Sequence, residues 1–235
     1  MNPWDVTELN FDVSAFTGQA RLFPLPNLVL YPHVMQPLHI FEDRYREMLE
    51  DALAGDQLIA MAVLEPGWET DYESRPPVSQ FACLGKVVTH CRTEDGRYNM
   101  LLMGVGRVRI VQELAPLRSF RQARVELLED SYDFASTCDR KRVQDELMAA
   151  FQRHLPSSCE LPEHLESVLS NELPLGFLTD LAAYALTLTP EVKLQLLGEC
   201  CVRKRAETLL REVKGFAPQP AKKSALIFPP AFSDN

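Results

Sequence analysis

Residues 21–54 read RLFPLPNLVLYPHVMQPLHIFEDRYREMLEDALA. The first half is apolar and broken by Pro24, Pro26 and Pro32. Proline lacks the N–H that a sheet ladder needs, so only short extended pieces fit, predicted at 21–25 and 35–40. Pro24 and Pro26 confine the first piece to a sheet edge or a bulge. The second half changes period. Phe41, Tyr45, Met48, Leu49, Ala52 and Leu53 recur at helical spacing and predict one buried stripe on a helix over 42–54. Glu42 and Asp43 fall in its first turn, where the positive end of the helix dipole favours carboxylates. Gly55 is expected to stop it in the left-handed conformation.

Downstream, residues 57–64 form an apolar run that predicts a buried strand. Residues 65–80, EPGWETDYESRPPVSQ, read as a loop carrying two aromatics, Trp68 and Tyr72. A strand over 81–93, bent at Gly85, leads to Asp95-Gly96, the signal for a type I′ hairpin. A return strand over 98–103 follows, then a turn or bulge at Gly104 and Gly106. Residues 107–110 alternate, with Val108 and Ile110 inward and Arg107 and Arg109 outward. Another alternating strand is predicted over 122–127. Residues 21–130 therefore close naturally into a small, mostly antiparallel sheet or barrel with one helix.

After Asp130 the period becomes helical throughout. Val143, Leu147, Phe151 and Leu155 repeat every four residues, predicting a helix over 139–154. Pro162 suits the start of a short helix to Leu169, and Pro174 begins another. Thr189-Pro190-Glu191 supplies an N-cap hydroxyl, proline at the first helical position and an early carboxylate for a helix ending near Gly198. A last helix is predicted over 201–214, stopped by Gly215. The expected organisation is a lead-in (1–20), a β subdomain (21–130), a helical bundle subdomain (131–215) and a proline-rich tail (216–235). The tail's Ala225-Leu226-Ile227-Phe228 run is too apolar for an inert linker and either docks on the chain itself, the favoured reading, or is offered to a partner.

Of the 235 residues, 46% are hydrophobic and 24% charged, and the net charge is −9. That balance suits a globular chain and opposes nucleic acid over the whole surface. Six cysteines lack any C-x-x-C pair and read as free thiols in a reducing compartment. The N-terminus has no basic segment followed by an apolar one, and no run reaches the roughly 18 apolar residues of a membrane span. A cytoplasmic location with no membrane association is expected.

The ordered set Phe23-Pro24-Leu25, Leu28-Val29-Leu30, Pro32, Pro37-Leu38-His39-Ile40-Phe41-Glu42 and Arg44-Tyr45 resembles the opening of the N-terminal domain of the ATP-dependent protease Lon. The resemblance continues through Asp95-Gly96-Arg97-Tyr98-Asn99, Gly106-Arg107-Val108-Arg109-Ile110 and the helices at 177–186, 190–197 and 204–210. It implies an α+β fold: a PUA-like, mostly antiparallel β-barrel subdomain with one helix, followed by an α-helical bundle subdomain. His33 stands where the family often has glycine after the aromatic-proline pair. Cys200 and Cys201 stand where a carboxylate often caps the last helix. No G-x-x-x-x-G-K-[ST] phosphate loop is present, so the chain looks like a stand-alone Lon-type substrate-binding domain. Neither enzymatic activity nor a cofactor is expected.

His39, Glu42, Asp43 and Arg44 concentrate at the strand-to-helix turn, and capping and local pairing account for them. Cys83, His90 and Cys91 are a poor metal set, because residues one apart on a strand face opposite sides. Arg107, Arg109, Arg118, Arg121 and Arg124 could form a basic stripe for RNA, the alternative function, but a solvated strand face is the plainer reading. Trp68 and Tyr72 either pack over the barrel end or stand exposed as anchors for unfolded polypeptide. With Tyr31 and Phe41 they are the candidate polypeptide-binding residues. The expected partners are unfolded or hydrophobic polypeptide segments and a separate protease or chaperone.

Overall fold

The computed structural model describes residues 13, 16–70, 72, 75–154 and 173–215. The elements run β1 (Gln19–Leu25), β2 (Met35–Ile40), α1 (Asp43–Leu53), β3 (Leu58–Leu64), a short 3-10 turn (Trp68–Thr70), β4 (Val78–Arg92), β5 (Tyr98–Glu113), β6 (Arg121–Leu128), α2 (Thr137–His154), α3 (Leu175–Ala185), α4 (Pro190–Gly198) and α5 (Val202–Gly215). The predicted helix at 162–169 and the tail at 216–235 lie outside the described residues.

The strand order is β2-β5-β4-β3-β1-β6, and β6 pairs back onto β5. That last pairing closes five strands into a barrel. β2 is left as an added strand beside the first half of β5. β1 and β3 run parallel, and the remaining pairs are antiparallel. The α+β expectation holds.

The barrel is filled by Leu22, Ala60, Ala62, Ala82, Leu84, Val108, Ala123 and Val125. Alanine dominates because a five-stranded barrel has a narrow interior. The alternate residues of the same strands point outward and are covered as well. Phe23, Ile59, Met61 and Cys83 join a second core that continues through Tyr45, Met48 and Leu49 of α1 to Leu147, Leu178 and Leu209 of the helices. β3 is buried at all seven positions, and its sequence LIAMAVL accordingly shows no polar alternation. The same outer core joins barrel and helices.

Several local expectations are corrected. β1 is an interior strand between β3 and β6, not an edge. The proline constraint still operates, because pairing with β6 ends at Leu22, before Pro24. Gly55 is not left-handed; Gln57 takes that conformation (φ 63). A Cβ at Gly55 would lie 3.2 Å from Arg21 Nη2, whose guanidinium is held by Asp51 and Asp56 at 2.6 Å each. The hairpin is not type I′. Gly96 N–H closes a turn onto Thr93 O (3.0 Å) and only Gly96 is left-handed (φ 83), a longer loop with one positive-φ residue. β5 runs unbroken through Gly104 and Gly106, which flank a bulge at Val105 opposite Leu84 and Gly85. His33 has φ 66, so the turn that favours glycine is kept and histidine carries the strain.

Arg107 points out of the barrel as expected, but α3 covers it. Its guanidinium forks onto the Asp180 carboxylate, with Nη1 donating to Oδ2 at 3.2 Å and Nη2 to Oδ1. Arg205 of α5 grips Asp130 with two bonds of 2.6 and 2.7 Å and donates Nε to Thr179 (3.1 Å). The Arg107, Asp180 and Arg205 side chains are at most 3% exposed. This network fastens barrel strand β5 to α3 and α5.

Burial alone would raise the Asp130 carboxyl, but the Arg205 hydrogen bonds and the two guanidinium charges outweigh it. They hold it below its ordinary value of 3.8. The carboxylate therefore stabilises the fold fully above pH 3.8. Its contribution is lost as pH falls through the lower folded value. Asp130→Asn should be less stable at neutral pH and lose less on acidification below about pH 4. Urea titrations across that range would show it; an unchanged acid limb would contradict it.

Candidate functional site

A groove of about 380 Å³ opens where the end of β1, the end of β2 and the start of α1 meet the loop after β3. Phe23 and Leu25 of β1 and Leu38 and Ile40 of β2 supply its floor, each pair two apart on one strand face. Tyr45 stands beside Phe23, ring centroids 4.5 Å apart, and both are nearly fully buried. Phe41, Trp68 and Tyr72 complete the wall. Phe41 is 38% exposed, and Trp68 and Tyr72 are half-buried. Trp68 meets Tyr72 edge to face at 5.6 Å, the geometry ring quadrupoles favour.

Glu42 holds this rim together. It occupies the N-cap of α1, yet its side chain makes no capping hydrogen bond. Its carboxylate instead accepts from Tyr72 Oη (2.7 Å) and from Arg44 Nε (2.8 Å). The Arg44 guanidinium lies over the rings of Tyr45 (4.7 Å) and Tyr72 (4.8 Å), a cation–π arrangement. Burial and the Glu42 hydrogen bond push the Tyr72 phenol up, so it remains a donor. His39 pairs its Nδ1 with Asn99 Oδ1 across β2 and β5 (2.7 Å), so its partner is 60 residues away and not in the strand-to-helix turn where local pairing was expected.

Three of the four candidate residues thus converge. Tyr31 does not. It is fully buried, its hydroxyl donates to Lys193 O in α4 (2.7 Å), and burial pushes the phenol far up. Tyr31 pins the helices to the barrel and is unavailable to a ligand. Sequence reasoning missed Phe23, Leu25, Leu38 and Ile40 as groove residues; their shared period of two was the available signal. It also read Glu42 as a helix-dipole residue, when tertiary contact makes it the rim's hub.

The arginine stripe does not form. Arg107 is committed to Asp180 and Arg121 is buried against Glu113. Arg109 pairs with Glu126 (2.5 Å), and Arg118 faces Asp51 at 3.7 Å. Only Arg124 of the five stands exposed outside an ion pair among the described residues. Cys83 is buried and Cys91 exposed, so they cannot share a ligand. Among the described residues no three His, Cys, Asp or Glu side chains are placed to hold a metal. No described helix is long and apolar enough to cross a membrane.

The family model described as "ATP-dependent protease La (LON) substrate-binding domain" matches residues 19–215. The chain belongs to this family. Its Lon relatives include the Lon protease of Dictyoglomus thermophilum, 26% identical over 188 residues, 79% of this chain. The chain spans only 23% of that relative's length. Two solved structures share the fold. A Lon N-terminal domain protein from Xanthomonas campestris superposes with a TM-score of 0.61 at 21% identity, covering 82% of this chain and 97% of that one. The N-terminal domain of a Mycobacterium avium complex Lon protease gives 0.63 at 18% identity, covering 85% of this chain and all of that one. The Lon-type match begins at β1 and ends with α5, so the groove lies wholly within it.

Proposed function

We propose that this Lon-type domain binds polypeptide, taking exposed apolar segments of unfolded clients into the groove walled by Phe41, Trp68 and Tyr72. The observation that carries this is the convergence of those aromatics, from separate parts of the chain, on one apolar concavity of about 380 Å³. Membership in a substrate-binding family supports it. Large half-exposed rings over an apolar floor suit a protruding Leu, Phe or Met side chain, and aromatic anchors dominate such interfaces. The domain acts without cleaving what it holds, in the cytoplasm, delivering clients to a separate protease or chaperone.

The test is fluorescence anisotropy of the 235-residue chain with a labelled apolar peptide. Trp68→Ala should weaken binding about tenfold or more, as expected for an aromatic hot spot. Its thermal midpoint should move little, because Trp68 lies on a loop and is only half-buried. Equal affinity of wild type, Trp68→Ala and Phe41→Ala would place binding elsewhere.

A further inference from the structure

Four successive residues, Leu38, His39, Ile40 and Phe41, all line the groove. Side chains of a strand alternate between its two faces, so a space that meets all four runs along the edge of β2 and not over one face. Leu38 and Ile40 turn to the apolar core, while the His39 and Phe41 rings lie together on the other face, centroids 6.1 Å apart. That edge is unpaired. β2 pairs with β5 on one side, and among the described residues no strand lies on the other.

The register shows which main-chain groups face the groove. Gly104 N–H donates to Val34 O (2.9 Å), and bonded residues alternate along an antiparallel ladder. Down the register Gln36↔Leu102, Leu38↔Met100 and Ile40↔Tyr98, it is Gln36, Leu38 and Ile40 that bond β5. Met35, Pro37 and His39 turn their main-chain groups to the outer side, which is why the strand accepts a proline at 37. The outer edge is closed at Pro37, which has no N–H and whose carbonyl accepts from Gln36 Nε2 (3.0 Å). Beyond it, neither His39 nor Phe41 has a main-chain hydrogen bond to that side among the described residues. Across the groove β1 offers nothing comparable. Its pairing with β6 ends at Leu22, Pro24 has no N–H, and Pro24 O accepts from Tyr45 Oη (3.5 Å).

We infer that the client binds as an added β-strand. An extended apolar segment lies along the free edge of β2 and exchanges main-chain hydrogen bonds with His39 and Phe41, while its alternate side chains enter the floor made by Phe23, Leu25, Leu38 and Ile40. This rests on the reading of the groove as a polypeptide site. Main-chain bonding is indifferent to side-chain identity, which suits a domain that meets many unfolded sequences. Apolar residues two apart satisfy the floor. A helical segment does not, because its main chain bonds itself and its apolar residues recur every three to four positions.

The experiment uses the 235-residue chain and a labelled extended peptide with apolar residues two apart. An N-methyl group, which removes one N–H, is placed at each position in turn. Binding should weaken about three- to tenfold at alternate positions and little at those between. Toleration at every position would overturn the added strand and leave a site that reads side chains alone. On the protein, His39→Pro removes the outward N–H without touching a bond to β5, whereas His39→Ala loses the same Asn99 pairing and keeps the N–H. With native circular dichroism in both, His39→Pro should bind about three- to tenfold more weakly than His39→Ala. Equal affinities would contradict the inference. Should His39→Pro fail to fold, the wild-type amide hydrogens of His39 and Phe41 decide: bound peptide should slow the exchange of both, and unchanged exchange would overturn the added strand. Failure of the unmodified peptide to bind would overturn the polypeptide reading and this inference with it.

Discussion

Asp180→Ala should remove about 3–5 kcal/mol of folding stability. Asp180 is 1% exposed and sits between Arg107 and Arg205, themselves almost wholly buried. Truncation leaves the Arg107 guanidinium without its carboxylate in a site closed to water. Its one other acidic contact among the described residues is Asp130 at 3.4 Å, which Arg205 already engages. Set against the 5–15 kcal/mol typical of a whole domain, the denaturation midpoint should fall by about a fifth or more. The Arg107→Met/Asp180→Leu double variant distinguishes an unpaired charge from lost packing. It removes both charges, retains volume and leaves the Arg205–Asp130 fork intact. It should therefore recover most of the loss, since apolar replacement of a buried pair is often near neutral. A single variant costing under about 1 kcal/mol, or a double variant no better than the single, would contradict this account.

Gly104→Ala should destabilise by about 3 kcal/mol or more, whereas Gly106→Ala should cost under about 1 kcal/mol. A Cβ at Gly104 would collide with the carbonyl carbon and oxygen of Tyr31, and would lie 3.0 Å from Cys83 Sγ. Backbone cannot rotate aside as a side chain can. The close approach is enforced from both directions. Gly104 N–H donates to Val34 O (2.9 Å), and Gly104 O accepts from His33 N–H (2.8 Å). At Gly106 the nearest atom is Leu127 Cδ2 at 3.3 Å, the end of a flexible side chain. Residues 31–34 lead directly into β2, whose Leu38 and Ile40 floor the groove. Gly104→Ala should therefore weaken peptide binding along with stability, read by the same urea and anisotropy titrations. Equal effects at the two glycines would mean that the crossing of residues 31–34 over β5 is not rigid.

The two glycines show where the sequence stops being informative. Gly104 and Gly106 look alike in it, and both mark a turn or bulge. Only the path of residues 31–34, some seventy positions earlier, makes one indispensable. Arg107 and Arg109 likewise alternate as one pair of outward residues. The structure separates them by what covers each, with Asp180 against one and Glu126 and solvent around the other. Tyr31 and Phe41 are both aromatics in an apolar run. One hydrogen-bonds a carbonyl 162 residues away and is lost to the surface, while the other lines the groove.

By itself the sequence determined the local quantities. These are the helical stripe from Tyr45 to Ala52, the β-to-α change after Asp130, the Thr189-Pro190 helix start and the Lon-type order of motifs. Each depends on periodicity or on the conformational limits of one residue, which neighbouring positions express directly. Tertiary structure alone decided barrel closure through β5–β6, the second burial of strands already buried on one face, and the pairing of Arg107 and Arg205 with Asp180 and Asp130. It also brought Phe41, Trp68 and Tyr72 around one groove and made Glu42 their anchor. Those features depend on which distant surfaces meet. A carboxylate or an aromatic ring has the same local signature whether its partner lies in solvent, in the core or across a cleft.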